Sequence, residues 1–306
     1  MKSLQVVADL HNHSTASDGE YSPAELVSRG CNLGLQAIGL TDHDSIAGLD
    51  EFVSFENESG ITLVPGVEVS LRFKRPFFVG TLHLLLYFSE VLLTNYVFKK
   101  DLNDLVSQGR GMTLVKERVD AINANFGPKG LEAVLKRDLY IEEIIAHGDN
   151  ITRRHFFLAL SKNHNIEDKS TIDKLIGNNS PAYIPSGIDI SLLKPFFDKY
   201  SVVKVLAHPA AGSFPGDSHY KEVLPPVELV EQLLPQFLDP EIVGLDGLEV
   251  FYPAHTKELE DILLNWAERY DLLITGGSDC HDSNNRPLGT SGINQHDFDK
   301  FMERII

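Results

Sequence analysis

Cysteine is scarce in this chain, since only Cys31 and Cys280 occur among its 306 residues. The two are far apart in sequence, and neither belongs to a spacing that is typical of a metal-binding or redox motif. Proteins with few cysteines and no disulfide pattern are typical of reducing compartments. The scarcity of cysteine therefore favours a cytoplasmic setting.

Long apolar runs are also absent, because no stretch reaches the roughly 20 apolar residues that a membrane-spanning helix needs. The first residues run directly into a strand-like segment without the pattern of a signal peptide. Hydrophobic residues still make up 42% of the chain, which is enough for a packed core. We expect no membrane partner, and the length suits one large α/β domain, alone or with a smaller insertion.

Basic residues are few relative to acidic ones, at 27 against 44, and the net charge is −17. A surface with this excess of negative charge repels the backbone of a long nucleic acid duplex. Bound divalent cations would reverse the potential locally. The composition thus argues against a long duplex as partner and leaves a small phosphorylated substrate open.

Seven short apolar runs, each followed or interrupted by polar residues, predict buried parallel strands. They cover residues 4–10, 35–40, 61–67, 81–88, 202–207, 247–251 and 272–275. Helical patterns lie between them, and Ser22 followed by Pro23 predicts one helix start. Alternating strands and helices form parallel βαβ units, and seven such strands suggest a barrel. The active site of such a barrel lies at the C-terminal ends of its strands.

The segment from residue 91 to 191 departs from this alternation and is rich in helix formers and charges. Helices are predicted over residues 113–125, 130–138, 141–147 and 152–163. We therefore predict a barrel formed by residues 1–90 and 192–306. Residues 91–191 are predicted to form a mostly helical insertion between two barrel strands.

His11 and His13 follow the first predicted strand and point to the same side of an extended chain. An isolated pair of this kind is more often two surface residues near a turn. Other predicted strand ends add Asp18, Asp42, His43, Glu68, His83, His208, Glu249, Asp279 and His281. Charged groups that converge on one barrel mouth need a partner, because charges are seldom buried alone. Two or three divalent cations would satisfy them, and Mn²⁺, Zn²⁺ and Fe²⁺ all suit imidazole and carboxylate ligands.

These residues occur in recognisable motifs. They are Asp9-Leu10-His11-Asn12-His13-Ser14 with Asp18-Gly19, Leu40-Thr41-Asp42-His43-Asp44, Pro65-Gly66-Val67-Glu68, Leu82-His83, Ala207-His208-Pro209 and Gly277-Ser278-Asp279-Cys280-His281. In order and spacing they resemble the motifs of the PHP family (polymerase and histidinol phosphatase). The segment from Leu245 to His255 and the Ala182-Tyr183-Ile184-Pro185 segment further resemble stand-alone nucleotide phosphatases of that family, which carry a helical insertion.

The resemblance implies an α/β fold, a distorted (β/α)₇ barrel with a metal cluster at its C-terminal mouth. Three sites are implied: His11, His13, Glu68 and Asp279; Asp18, His43 and His281; and Glu68 as a bridge with His83 and His208. Hydrolysis would proceed through a hydroxide that bridges two of the cations and attacks the phosphorus.

Three residues are assigned supporting roles in catalysis. His208 is a candidate for proton transfer to the leaving oxygen. Asp42 is predicted to orient a metal-bound histidine rather than to bind metal itself. Glu249 either holds a substrate hydroxyl or orients a ligand.

Contacts to the substrate are predicted from the insertion and from the segment that ends at His255. Arg153 and His155 match an Arg-x-His element of the nucleotide phosphatases, and cations at a helix start are destabilising unless an anion binds there. Arg154 stands where the family often has proline, and the alternative is an exposed basic turn. His255 either faces the phosphate or serves as a structural histidine.

The expected function is hydrolysis of phosphate esters of nucleotides, with 3′,5′-bisphosphonucleotides or the 5′ end of short RNA as substrates. The insertion would act as a lid whose Arg153 and His155 bind the second phosphate. Histidinol phosphatase is the enzymatic alternative. A polymerase-associated or structural PHP module is the non-enzymatic one, and the full set of candidate ligands argues against it.

Overall fold

The computed structural model describes residues 6–55, 60–146, 153–177, 179–216, 224–284 and 286–305. Its strands are β1 Ala8–Asp9, β2 Ala37–Leu40, β3 Thr62–Arg75, β4 Phe78–Tyr87, β5 Ile188–Asp189, β6 Val203–Leu206, β7 Gly247–Phe251 and β8 Leu273–Gly276. They form one sheet in the order β1-β2-β3-β4-β6-β7-β8, and β5 pairs with the free side of β3.

The first and last strands of this sheet, β1 and β8, are brought together by backbone hydrogen bonds. These bonds join the residues just after β1 to residues at and just after the end of β8. The backbone N–H of Leu10 donates to the carbonyl of Gly276 at 3.2 Å, and that of His13 donates to the carbonyl of Cys280 at 3.0 Å. The sheet is therefore a nearly closed, seven-stranded barrel, and the predicted fold class is confirmed.

One strand runs against the predicted direction. Strands β1 to β3 are mutually parallel and so are β6 to β8, but β4 is antiparallel to both of its neighbours, β3 and β6. The expectation of a parallel strand over residues 81–88 was therefore wrong. A tight turn at Pro76 and Phe77 joins β3 to β4, and a connection this short can only join antiparallel strands.

The chain divides into two compact units, residues 1–107 with 187–306, and residues 108–186. The helices of the first unit are α1 Pro23–Leu33, α2 Leu49–Val53, α3 Glu90–Leu93, α4 Tyr96–Ser107, α9 Lys194–Phe197, α10 Val227–Leu238, α11 Lys257–Tyr270 and α12 Gln295–Ile305. Helix α1 starts as predicted, because the Ser22 hydroxyl caps it and Glu25 completes a reciprocal capping box.

Helices of the second unit are α5 Gly111–Phe126, α6 Ile141–Ile145, α7 Arg153–His164 and α8 Lys169–Ile176. They enclose a separate core that includes Ile122, Phe126, Leu160 and Leu175. Residues 130–138 are irregular instead of helical, because the backbone N–H groups of residues 131, 132, 134 and 135 bond back to carbonyls at the end of α5.

The compact second unit, residues 108–186, covers fewer residues than the predicted insertion of residues 91–191. Helix α4 lies within the predicted insertion, yet Phe98 and Leu102 of this helix are fully buried in the core of the first unit. Across the described ranges, no helix is both long and apolar enough to span a membrane.

Candidate metal centre

The nine residues predicted as metal ligands lie together at the mouth of the barrel. They are His11, His13, Asp18, His43, Glu68, His83, His208, Asp279 and His281. Most follow the C-terminal ends of parallel strands, which face one end of the barrel. His83 arrives from the opposite direction, within the antiparallel strand β4, where it pairs with Ser70.

The Glu68 carboxylate is fully buried at the centre of this group. Its Oε2 lies 3.2 Å from Nε2 of His11, 3.2 Å from Nε2 of His13 and 2.9 Å from Nδ1 of His43. Its Oε1 lies 2.9 Å from Nδ1 of His83 and 3.0 Å from Nε2 of His208. One carboxylate thus faces five imidazoles, an arrangement in which it can bridge cations.

Three groups of side chains bring their candidate ligand atoms within 4.8 Å of one another. They are His11, His13, Glu68 and Asp279; His13, Asp18, His43 and His281; and His43, Glu68 and His83. The first is the set that the sequence predicted. His13 also belongs to the second group and His43 to the third, so neighbouring groups share side chains. His208 approaches the third group through its Nε2, 3.4 Å from Nδ1 of His83.

Unpaired buried atoms show that this chemistry fits divalent cations. Among the described residues, Nδ1 of His13, His43 and His208, Oε2 of Glu68 and Oδ1 of Asp279 are buried without a partner in hydrogen-bond geometry, although Nδ1 of His43 and Oε2 of Glu68 lie only 2.9 Å apart. A buried polar atom without a partner costs about 1–3 kcal/mol. Imidazole nitrogens and carboxylate oxygens bind Mn²⁺, Zn²⁺ and Fe²⁺, so cations would satisfy these atoms.

Burial and neighbouring carboxylates act in opposite directions on the pKa values of His11 and His13 at the barrel mouth. Burial opposes protonation of His11, but Glu249, Glu68 and Asp279 outweigh burial and hold its pKa well above the usual value. Burial is likewise outweighed at His13, where the adjacent carboxylates of Asp279 and Glu68 raise the pKa to about 9. In the absence of cations, both shifts therefore favour the protonated form of the ring. Since a ligand must lose its proton to bind metal, affinity for cations should rise with pH.

Glu249 connects two of these histidines. Its Oε1 accepts a hydrogen bond from Nδ1 of His11 at 2.9 Å, and its Oε2 accepts one from the backbone N–H of His208 at 2.8 Å. The first bond fixes the ring so that Nε2 of His11 faces Glu68. Of the two roles considered for Glu249, the geometry favours orientation of a ligand.

Asp42 does not make the contact with a histidine that the sequence predicted. Its carboxylate accepts hydrogen bonds from the Ser14 backbone at 2.7 Å, the Ser14 hydroxyl at 2.7 Å and the Ser17 hydroxyl at 2.5 Å. It therefore holds the loop between His13 and Asp18 in place rather than a histidine ring.

Sequence reasoning did not find two partners of Asp279. The Tyr252 hydroxyl donates to Oδ2 of Asp279 at 2.7 Å, and the Arg286 guanidinium pairs with the same oxygen. Oδ1 of Asp279 is left to face the cluster, 3.0 Å from Nε2 of His13. Tyr252 lies within the segment that resembles nucleotide phosphatases, whereas Arg286 lies in an irregular loop with no motif to mark it.

Asp9 is a further residue that the sequence analysis did not single out. Its carboxylate accepts hydrogen bonds from the Ser278 backbone at 2.9 Å, the Ser278 hydroxyl at 2.6 Å and the Gly289 backbone at 2.8 Å. Burial raises its pKa to about 6, despite these bonds. Asp9 thus joins the strand that precedes His11 to the loop that precedes Asp279.

Two residues of this cluster have a strained backbone. His208 and Asp279 adopt positive φ angles of 30° and 51°, in the left-handed region that residues other than glycine seldom adopt. Each such residue costs about 1–3 kcal/mol, which the surrounding structure must offset. Strain at these two strand ends turns the side chains toward the mouth.

His255 does not have the geometry of a phosphate ligand. Its Nδ1 donates to the Val250 carbonyl at 2.8 Å, and its Nε2 accepts from the backbone N–H of Ala210 at 3.3 Å. Burial lowers its pKa to about 4, so the ring is neutral. Both nitrogens are therefore occupied by backbone groups, and the structural alternative for His255 describes it better than the phosphate contact.

We predict that His255→Ala lowers the free energy of unfolding by about 1–3 kcal/mol, because it removes the partners of two buried backbone groups. KM for a nucleotide substrate should stay at the wild-type value. Denaturant unfolding and steady-state kinetics measure the two effects, with His296→Ala on the exposed start of α12 as control. A raised KM with unaltered stability would instead place His255 at the phosphate.

The predicted substrate residues of the insertion lie in α7 of the second unit. Helix α7 begins at Arg153, whose side chain lies outside the described part of the structure. His155 follows in the first turn and is half-buried. Their contact with substrate remains a prediction from the sequence.

A barrel whose strand ends collect imidazoles and carboxylates around one buried glutamate defines a metal-dependent hydrolase. The model of the PHP domain matches residues 9–185, more than half of the chain, and the chain therefore belongs to the PHP family. It is a metal-dependent phosphoesterase.

Two relatives are similar over most of their length. The chain is 29% identical to a 5′-3′ exoribonuclease of Haemophilus influenzae, with 89% of each chain covered. It is 25% identical to the 3′,5′-nucleoside bisphosphate phosphatase of Chromobacterium violaceum, with 89% of this chain and 86% of that protein covered.

A solved structure from Bifidobacterium adolescentis, assigned to the metal-dependent phosphoesterases, has the same fold. The TM-score is 0.61 at 24% identity, and 98% of this chain and 96% of that chain are covered.

Proposed function

We propose that this phosphoesterase releases phosphate from nucleotides, with 3′,5′-bisphosphonucleotides or the 5′ end of short RNA as substrates. The observation that carries the proposal is the convergence of five imidazoles on the buried carboxylate of Glu68. The similarity to a 5′-3′ exoribonuclease and to a 3′,5′-nucleoside bisphosphate phosphatase supports the choice of substrates.

In this proposal, the residues of the three groups hold two or three divalent cations. Bound there, the cations would supply an activated water and neutralise the charge of the phosphate oxygens. Glu249 keeps the His11 ring in the orientation that presents Nε2. Tyr252 and Arg286 occupy one oxygen of Asp279, so that the other faces the cations.

Proton transfer to the leaving oxygen is assigned to His208. This residue lies at the edge of the cluster, with its Nε2 3.0 Å from Oε1 of Glu68. Its Nδ1 has no hydrogen-bond partner among the described residues, so with Nε2 as the atom that faces the cations, Nδ1 is available to the leaving oxygen. A positioned imidazole typically contributes about 10²–10⁴-fold to the rate of such a step.

A phosphate-release screen with added Mn²⁺ tests the proposal. The substrates are a 3′,5′-bisphosphonucleotide, the matching 5′-monophosphate, a short 5′-phosphorylated RNA and histidinol phosphate. Release from the nucleotides alone supports it. Release from histidinol phosphate alone would establish the alternative enzyme. Because hydrolysis of RNA from its 5′ end releases 5′-mononucleotides, the RNA is also followed by its length, and neither phosphate release nor shortening of the RNA would reject both.

We predict that kcat/KM for the 3′,5′-bisphosphonucleotide exceeds that for the monophosphate by at least about tenfold, because a second phosphate gains charge-assisted hydrogen bonds. Arg153→Ala should reduce this preference by about 1–3 kcal/mol in transition-state binding. Lys116→Ala, on an exposed lysine of helix α5, is the control. Equal values for the two substrates in the wild-type enzyme would remove the claim of a bisphosphate preference.

A further inference from the structure

The hairpin of β3 and β4 extends past the mouth of the barrel. Strand β2 ends at Leu40, which pairs with Pro65, but β3 continues to Arg75 and pairs with β4 over its whole further length. We call residues 70–81 the basic hairpin. It begins directly beyond Glu68, on the side of the barrel where the metal centre lies.

One face of the basic hairpin continues the face that carries Glu68 and His83. Ser70 pairs with His83, and the next pairs on the same side are Arg72 with Thr81 and Lys74 with Val79. Side chains alternate along a strand, so these pairs form one row that leads away from the metal centre.

The opposite face of the basic hairpin is packed against the barrel. Leu71, Phe73 and Leu82 are buried there, and the Phe73 ring lies 6.0 Å from that of Phe237 in α10. Arg75 lies on this side too and donates to Gln236 at 3.2 Å. Packing therefore holds the hairpin to the barrel through one face, and on the other face the outer pair of the row, Lys74 with Val79, is exposed.

The outer end of the row combines positive charge with apolar surface. Lys74 is exposed, Val79 is 42% exposed and Phe77 at the turn is 45% exposed. No acidic residue occurs between Glu68 and Glu90, although the whole chain carries 44. Arg72 pairs in register with Asp189 of β5, which offsets part of its charge, so Lys74 is the dominant cation of the row.

We propose that this row binds the 3′ portion of a single-stranded RNA whose 5′ phosphate lies at the metal centre. The proposal rests on the proposed function and specifies an oligonucleotide as substrate. Lys74 lies about 20 Å along the strand from Glu68, at roughly 3.3 Å per residue, so an extended oligonucleotide spans the distance. Cations bind its phosphates, and exposed apolar side chains contact its bases.

Charge favours a single strand as the occupant of this row. Lys74 and Arg72 are the cations of this row, which we call the track, on a protein whose net charge is −17. A duplex carries more phosphate charge and is wider than one row of side chains, so a protein with this net charge repels it more than a single strand. A single strand can follow the track with its bases turned toward Val79 and Phe77.

Equilibrium binding tests the track without relying on catalysis. The probe is a six-nucleotide RNA with a 5′ phosphate and a 3′ fluorescein, titrated with protein in EDTA and followed by anisotropy. Lys74→Gln should weaken binding about fivefold and lower the slope of log Kd against log salt by about 0.7, the value for one phosphate contact on a single strand.

Arg75→Gln removes the same charge from the opposite face of the hairpin and should keep the wild-type Kd. Equal Kd values for the wild type and Lys74→Gln would overturn the track, and so would an equal loss in both variants. A change in self-association without a change in RNA affinity, measured by sedimentation, would likewise overturn it and assign the row to a second copy of the chain.

Kinetics with bound metal separates this proposal from the proposed function. In Lys74→Gln the ratio of kcat/KM for the six-nucleotide RNA to that for a 3′,5′-bisphosphonucleotide should fall about fivefold. Absence of hydrolysis of any nucleotide by the wild-type enzyme would reject the proposed function, whereas the EDTA titration would still decide the track.

Discussion

Glu68→Gln should lower kcat/KM by at least about 10³-fold, equivalent to about 4 kcal/mol of transition-state stabilisation. Both oxygens of Glu68 face imidazoles that belong to different groups of the centre. A glutamine has nearly the same shape but lacks the negative charge and offers an NH₂ group where an oxygen stood. It cannot bridge two cations, so the groups that share Glu68 should lose metal together.

Metal content by mass spectrometry, kcat/KM and far-ultraviolet circular dichroism measure this effect side by side. The matched control is Glu268→Gln on the exposed surface of helix α11. A folded Glu68→Gln variant with wild-type metal content and activity would show that Glu68 is not a ligand.

Chelation should abolish hydrolysis and also destabilise the protein. Cations that bind only the folded state stabilise it by about 2.7 kcal/mol when their free concentration is 100 times Kd. For a chain of 306 residues, such a loss lowers the melting temperature by about 4 °C. We therefore expect that EDTA removes activity and lowers the melting temperature, and that one or more of Mn²⁺, Zn²⁺ and Fe²⁺ restores both.

His13→Ala is the informative variant for this experiment. His13 belongs to both the first and the second group, so its loss should weaken both. The variant should show little change in melting temperature on chelation, because it holds little metal beforehand. Full activity of the wild type after chelation, with metal shown to be absent, would contradict a metal-dependent mechanism.

The ligand cluster was predictable from the sequence because it follows a local rule. Buried strands of a barrel appear as apolar runs, and the first few residues after each parallel run lie at the same mouth. His11, His43, His208 and Asp279 all follow this rule, as their positions in the structure show. The order and spacing of these residues also matched the motifs of a known family, which indicated which of them bind metal.

Contacts between loops were not predictable in this way. Arg286 reaches Asp279 only because the loop after His281 folds back, and no periodic pattern encodes that path. The direction of β4 depends on a two-residue turn that looked like part of a strand–helix alternation. His255 was ambiguous because its two partners are backbone groups, which a sequence does not display.

The closure of the barrel has a consequence for synthesis of the protein on the ribosome. His11 binds Glu249, which lies 238 positions later, and the backbone of His13 bonds to that of Cys280. A nascent chain meets these partners only after they have left the exit tunnel, since translation is vectorial and domains fold as units. The centre can therefore be completed only after nearly the whole chain has been synthesised.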